Sequence, residues 1–225
     1  MTGKPTIVLV HGMWHGGWAW DQLVPLLEDH PTVQVTLPGK DRAPGDVTFR
    51  GHCDHLARTL AEIPGDVVLV GHSYGGAVLT QAGAAPNVRG MIFVGAFALL
   101  PGESVASIND AEAGSEAGAD DIVSDGEYLV IAPETARNAF YHDCSEDPAD
   151  RLTPEHASVR NTEVTQAAWQ TVPSHFVVCT LDRACTPDVQ RKMAARLDSQ
   201  SELKSSHSPM LSMPDALART ILEFV

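Results

Sequence analysis

The chain has 225 residues, 44% of them hydrophobic, and a formal net charge of −14. That length suits one α/β domain and is short for two. The acidity argues against nucleic acid and anionic membranes as partners, because phosphate groups are held by basic patches.

Taken in chain order, the first apolar run, Ile7–Val10, predicts a strand, with no secretory leader before it. It is followed by a glycine-rich loop, His11–Trp18, a predicted helix at Trp20–Asp29 and a second strand at Val33–Leu37. Gly51–Ile63 predicts a helix, Val67–Val70 a strand, Ala77–Ala85 a helix and Met91–Val94 a strand. Alternation then stops. From Leu99 to about Trp169 there is no strong strand, only an acidic piece at Asn109–Asp121 and short helical stretches near Pro133–Tyr141 and Pro154–Arg160. Alternation resumes with Phe176–Thr180, the helices Pro187–Leu197 and Pro214–Phe224, each opening on a helix-starting proline, and a short strand at Ser201–Lys204. Continuous apolar strands separated by helices mean a doubly wound, mostly parallel sheet with helices on both faces. Residues 1–225 are thus expected to form one domain, with a small cap inserted at about 100–170, since a long loop that keeps apolar residues folds over something. No run approaches a membrane span. The four cysteines lack Cys-x-x-Cys spacing and read as reduced thiols of a cytoplasmic protein.

Chemistry enters at the third strand. Val67–Val70 runs into Gly71-His72-Ser73-Tyr74-Gly75-Gly76, and a helix follows. This is the strand, sharp turn and helix in which a serine becomes a nucleophile. Serine needs a base, and the base needs an orienting acid. On open α/β sheets these follow the serine in the order acid, then histidine. Asp182, just past Phe176–Thr180, lies at the carboxyl edge where such sites form. Asp188 is the rival, but in the first turn of a helix it has a capping role already. His207, in a loop of small polar residues, is the base; His142, His156 and His175 fall in places unsuited to it. The oxyanion donors are the N–H groups of Tyr74, which follows the serine, and Met13, made accessible by Gly12. Gly12 and Trp14 are assigned to substrate contact, and Trp18 and Trp20 to packing.

Two other readings fail. The glycine-rich first loop is not Gly-x-Gly-x-x-Gly, which excludes the dinucleotide fingerprint. His11, His15, His52 and His55 have no carboxylate or cysteine set to complete a metal site, so no metal is expected and they read as surface or capping residues. His15 is better suited to bracing the loop at Met13.

Taken together, His11-Gly12-x-x-His15-Gly16-Gly17-Trp18-x-Trp20, Gly71-His72-Ser73-x-Gly75-Gly76, Thr180-x-Asp182…Gln190 and His207-Ser208-x-x-Leu211-Ser212-x-Pro214 resemble the α/β-hydrolase superfamily. The similarity is closest to the branch of plant methylesterases, hydroxynitrile lyases and bacterial esterase relatives. It spans nearly the whole chain and is weakest across 101–170. It implies no cofactor, a Ser73, Asp182 and His207 triad, and a cap over a mostly apolar pocket. The lyases of that branch carry threonine where Gly12 stands and a cyanide-handling lysine where Ser208 stands, which favours ester hydrolysis here. The expected function is hydrolysis of esters of small, fairly apolar molecules through an acyl-enzyme. A lyase or cyclase using the triad as a base, and a non-catalytic ligand-binding relative, are the alternatives. The only expected partner is the ester substrate, and a homodimer is left open.

Overall fold

The computed structural model describes residues 3–27, 29–40, 45–111 and 122–225. Among them, six strands form one sheet in the order β2-β1-β3-β4-β8-β9. They are β1 (Thr6–Val10), β2 (Thr32–Val35), β3 (Val67–His72), β4 (Val88–Val94), β8 (Ser174–Cys179) and β9 (Ser199–Leu203). Every neighbouring pair is parallel.

Strand sequence explains why both faces are covered. In β1, Ile7 and Leu9 join one apolar cluster while Val8 and Val10 join the other. Val68 and Val70 of β3 likewise part from Val67 and Leu69. An apolar residue at every position gives two hydrophobic faces, because successive side chains alternate. On one face lie α1 (Phe49–Glu62), α2 (Tyr74–Ala82) and α6 (Pro187–Ala194); on the other lies α8 (Pro214–Phe224) with two 3-10 turns. Helix α1 starts where Thr48 Oγ1 accepts from the Gly51 N–H at 3.2 Å. It buries Phe49, Cys53, Leu56 and Leu60, a helical stripe.

The chain order of strands also fixes where a ligand can bind. From β1 the chain crosses to β2 at one side, then returns to place β3 on the other side of β1. The loops leaving β1 and β3 therefore diverge at the carboxyl edge, where doubly wound sheets open a crevice.

Two sequence expectations are corrected. The helix expected at Trp20–Asp29 is instead two 3-10 turns, Gly17–Trp20 and Val24–Leu27. Pro25 has no N–H to give and breaks the run; Glu28 lies outside the described residues. The segment between β4 and β8 is not strandless. It contains α3 (Val105–Ala111), then a small antiparallel sheet of β5 (Ile122–Asp125), β6 (Tyr128–Ile131) and β7 (Glu155–His156). The rest of the segment carries α4 (Pro133–Phe140) and the short α5 (Ser158–Asn161). The β5–β6 hairpin turns on Gly126, the first of its two loop residues, at φ +63°, a conformation that favours glycine. The part of the acidic piece at 112–121 lies outside the described residues. Helix α7 (Pro209–Ser212) leads into α8. No helix of the described residues is long and apolar enough to cross a membrane.

The small sheet is bolted to the main body through a buried ion pair. Lys40 Nζ lies 3.0 Å from Glu155 Oε2, with both side chains 2% exposed. Lys40 also donates to the carbonyl of Pro154 at 2.6 Å. Burial raises the Glu155 carboxyl above the usual glutamate range, against the pull of Lys40. Lys40→Met strands that carboxylate and should cost about 3 kcal/mol or more, read by urea unfolding. Adding Glu155→Gln removes the stranded charge and should restore part of the loss; no restoration would refute this account.

Candidate active site

Ser73 sits between β3 and α2 with φ 51° and ψ −122°, one of two non-glycine residues with positive φ among those described. Such a conformation costs about 1–3 kcal/mol and persists only where neighbours enforce it. They do so by crowding. A Cβ on Gly75 would lie 2.4 Å from the Val10 carbonyl oxygen, and one on Gly76 would lie 2.8 Å from Ala96 Cβ. The Ser73 carbonyl accepts from both Gly76 and Phe97, at 3.0 and 3.1 Å.

Asp182 and His207, the expected acid and base, lie side by side. His207 Nδ1–H donates to Asp182 Oδ2 at 2.6 Å, both side chains almost wholly buried. A carboxylate can only accept, so the proton is on Nδ1 and Nε2 keeps its lone pair. Asp182 is itself fully committed. Its Oδ1 accepts from the Ala184 and Cys185 N–H groups at 2.8 and 2.9 Å, and its Oδ2 also accepts from Gln190 Nε2 at 2.7 Å. Gln190 is buried and tied by its other end, accepting from the Cys179 N–H at 2.8 Å. Asp188 is not at the site: it is exposed at the start of α6, beside Arg191.

Ser73 and His207 line one cavity together with Met13, Trp14, Phe97 and Phe140. Its empty volume is about 530 Å³, including the open mouth. The N–H groups of Met13 and Tyr74 take no acceptor among the described residues; Tyr74 opens α2, where the first amides have no partner within the helix. Gly12 does not line the cavity. A Cβ there would lie 2.9 Å from both Ser73 Cβ and His72 Nδ1, so Gly12 backs the serine rather than facing a ligand.

Trp14 and His15 of the first loop are held by partners in the cap that the sequence did not reveal, and further support comes from the cap and from β3. Trp14 has φ 62°. Its N–H reaches Glu155, its carbonyl accepts from the Thr153 N–H, and its indole N–H donates to the Leu129 carbonyl, at 3.2, 3.0 and 3.0 Å. His15 Nδ1–H donates to the Met13 carbonyl at 2.7 Å, and its Nε2 accepts from the Tyr141 hydroxyl at 2.7 Å. The His207 loop is held by Asp143 and Phe140, which bond Ser206 at 2.7 and 2.8 Å. His72 Nε2–H donates to the His207 carbonyl at 2.8 Å. Gly95, at φ +51°, leaves room beside the Asp182–His207 pair. None of these carries a local motif; only the fold brings them together.

The surface or capping reading fails for His11 in the first loop and for His52 on α1, whereas His15 braces the loop at Met13 as expected. His11, His15 and His52 are buried, and His52 accepts from the Tyr74 hydroxyl through Nδ1 at 2.8 Å. Among the described residues no three histidine, cysteine or acidic side chains converge as a metal site. Trp20 is fully buried, and Trp18 stacks on His15.

Residues 7–220 match the alpha/beta hydrolase family. The chain belongs to that family. An alpha/beta hydrolase of Aspergillus novofumigatus is 27% identical over 97% of this chain and 95% of its own. Methylesterase 17 of Arabidopsis thaliana is 30% identical over 95% of this chain and 88% of its own. The crystal structure of a pyrethroid hydrolase from Sphingobium faniae superposes with a TM-score of 0.86 at 25% identity, covering 98% of this chain and 96% of that one. This alpha/beta hydrolase lies in the methylesterase-like branch and is a carboxylesterase-like hydrolase by kinship.

Burial holds four histidines around the site neutral. It pulls His11 down to about 3 and His15 and His52 to about 4, and lowers His72 well below its ordinary 6.5. An unfolded chain binds protons at these positions below pH 6.5, whereas the folded protein does not. Their contribution to stability is therefore whole above about pH 6.5 and is lost as pH falls towards 4, at about 1.4 kcal/mol per unit for each histidine. Tm measured from pH 7.5 to 5 should drop steeply; a level Tm across that range would contradict the burial argument.

Proposed function

We propose that the protein hydrolyses carboxylic esters of small, fairly apolar molecules with Ser73 as nucleophile. The observation that carries this reading is the Nδ1–H bond of His207 to Asp182, which leaves a basic Nε2 on the ring that shares the cavity with Ser73. In this reading Ser73 Oγ attacks the ester carbonyl and His207 Nε2 takes its proton. The tetrahedral oxyanion is held by the N–H groups of Met13 and Tyr74, each worth about 3 kcal/mol in the transition state. His207 returns the proton to the departing alcohol, leaving an acyl-enzyme that water cleaves through the same base. Asp182, held in place by its other donors, keeps the ring in the required tautomer and stabilises its cation.

The named esterases among the relatives support hydrolysis, and the apolar walls of the cavity support an apolar ester. Trp14 and Phe140 are the proposed contacts for its carbon chain. Ser208, buried in place of a cation after His207, supports hydrolysis over lyase chemistry. Free, mostly buried cysteines suit a reducing compartment, and we place the protein in the cytoplasm.

Ser73→Ala should fold normally and lose about four orders of magnitude or more in kcat on an activated ester. A fluorophosphonate should label the parent protein at Ser73. Retained turnover in Ser73→Ala would overturn the assignment, and labelling without ester turnover would point to a lyase or cyclase. Tyr141→Phe frees His15 from the cap and loosens the Met13 peptide. It should lower kcat about tenfold with little change in KM; an unchanged kcat would remove Tyr141 from the oxyanion support.

A further inference from the structure

The cavity contains one group that ester cleavage does not use. Arg160, on α5, lines it together with Asn109 of α3, Ile122 and Ile131. Among the described lining residues it is the one permanent charge, and none of them is a carboxylate. Its Nη2 reaches Asp110 Oδ1 at 3.2 Å, but the Asp110 side chain is 71% exposed, so this is a wet pair that holds the arginine weakly. Arg160 Nε is buried with no acceptor. A buried donor left unpaired is costly, and a cation facing apolar walls more so. A carboxylate in the cavity that pairs with the terminal nitrogens of the guanidinium offsets the cost of turning a cation towards apolar walls.

We propose that Arg160, with Asn109 beside it, binds a carboxylate on the substrate, so that the preferred ester carries an acid group besides the scissile bond. This rests on the reading of Ser73 as the esterase nucleophile. A guanidinium presents a planar fork that matches a carboxylate, and a single monoanion suits a site with one cation. The net charge of −14 repels anions at long range, so discrimination comes from the contact with Arg160. The acid group sits on either the acyl or the alcohol side of the ester.

Two matched substrate pairs separate those cases. For the acyl side, 4-nitrophenyl hydrogen adipate is compared with 4-nitrophenyl hexanoate. For the alcohol side, 4-acetoxybenzoate is compared with 4-acetoxybenzamide. The measurement is the ratio of kcat/KM for acid over neutral ester within each variant of the full chain. The parent protein should favour the acid member of one pair by about tenfold or more, chiefly through KM. Arg160→Gln should bring that ratio to unity or below, Arg160→Lys should keep part of it, and Asp110→Asn should raise it. Equal use of acid and neutral esters in both pairs, or a preference that survives Arg160→Gln in a protein of unchanged Tm, overturns the proposal. Failure of the parent protein to cleave any of the four overturns the esterase reading, and this inference with it.

Discussion

The site depends on how closely two backbone turns approach at the point where the strand order reverses. The loop leaving β1 and the turn leaving β3 touch through glycines: Gly12 against Ser73 and His72, Gly75 against the carbonyl of Val10. With side chains at these positions the turns would part and Ser73 could relax out of its strained conformation. The same contact brings Met13 and Tyr74 beside the serine. Nucleophile geometry and the candidate oxyanion donors are therefore products of one packing event between β1 and β3, which the apolar β-branched sequences of those strands drive.

Around this contact the protein buries a set of polar side chains, most of them with their bonding capacity filled. Asp182 has four donors, Gln190 is bonded at both ends of its amide, and His11, His15 and His52 each use both ring nitrogens. Histidine is well suited to such positions because, neutral, it offers one donor and one acceptor at fixed separation. His72 Nδ1 and Ser208 Oγ, both beside His207, are among the exceptions and have no partner among the described residues; the other nitrogen of His72 is spent on the carbonyl of His207, and its ring lies 4.6 Å from that of His207.

Features that are local in sequence were legible there. The alternation of apolar runs foretold the parallel sheet, and the glycines of 71–76 foretold the serine turn, because both follow from steric rules acting within a few residues. Asp182 and His207 could be found by order and by position at the sheet edge. The cap resisted reading for a physical reason. Its strands are only two to four residues long and half-exposed, so a hairpin turning on Gly126 looked like irregular chain. Tyr141, Asp143 and Arg160 act across separations of 50 residues or more, and no spacing rule reaches that far. The helix expected at Trp20–Asp29 failed because one proline outweighed an otherwise suitable pattern.

Trp14 is fastened to the cap largely through main-chain atoms: the Thr153 amide and the Leu129 carbonyl hold its backbone oxygen and its indole. Main-chain partners exist whatever side chain a position carries. The cap can therefore exchange the residues that face the cavity without loosening its hold on the loop beside Ser73. Alignment of the reacting groups and choice of substrate are thereby separated within one small sheet, so a new substrate range is accessible through side-chain changes that leave the reaction machinery in place.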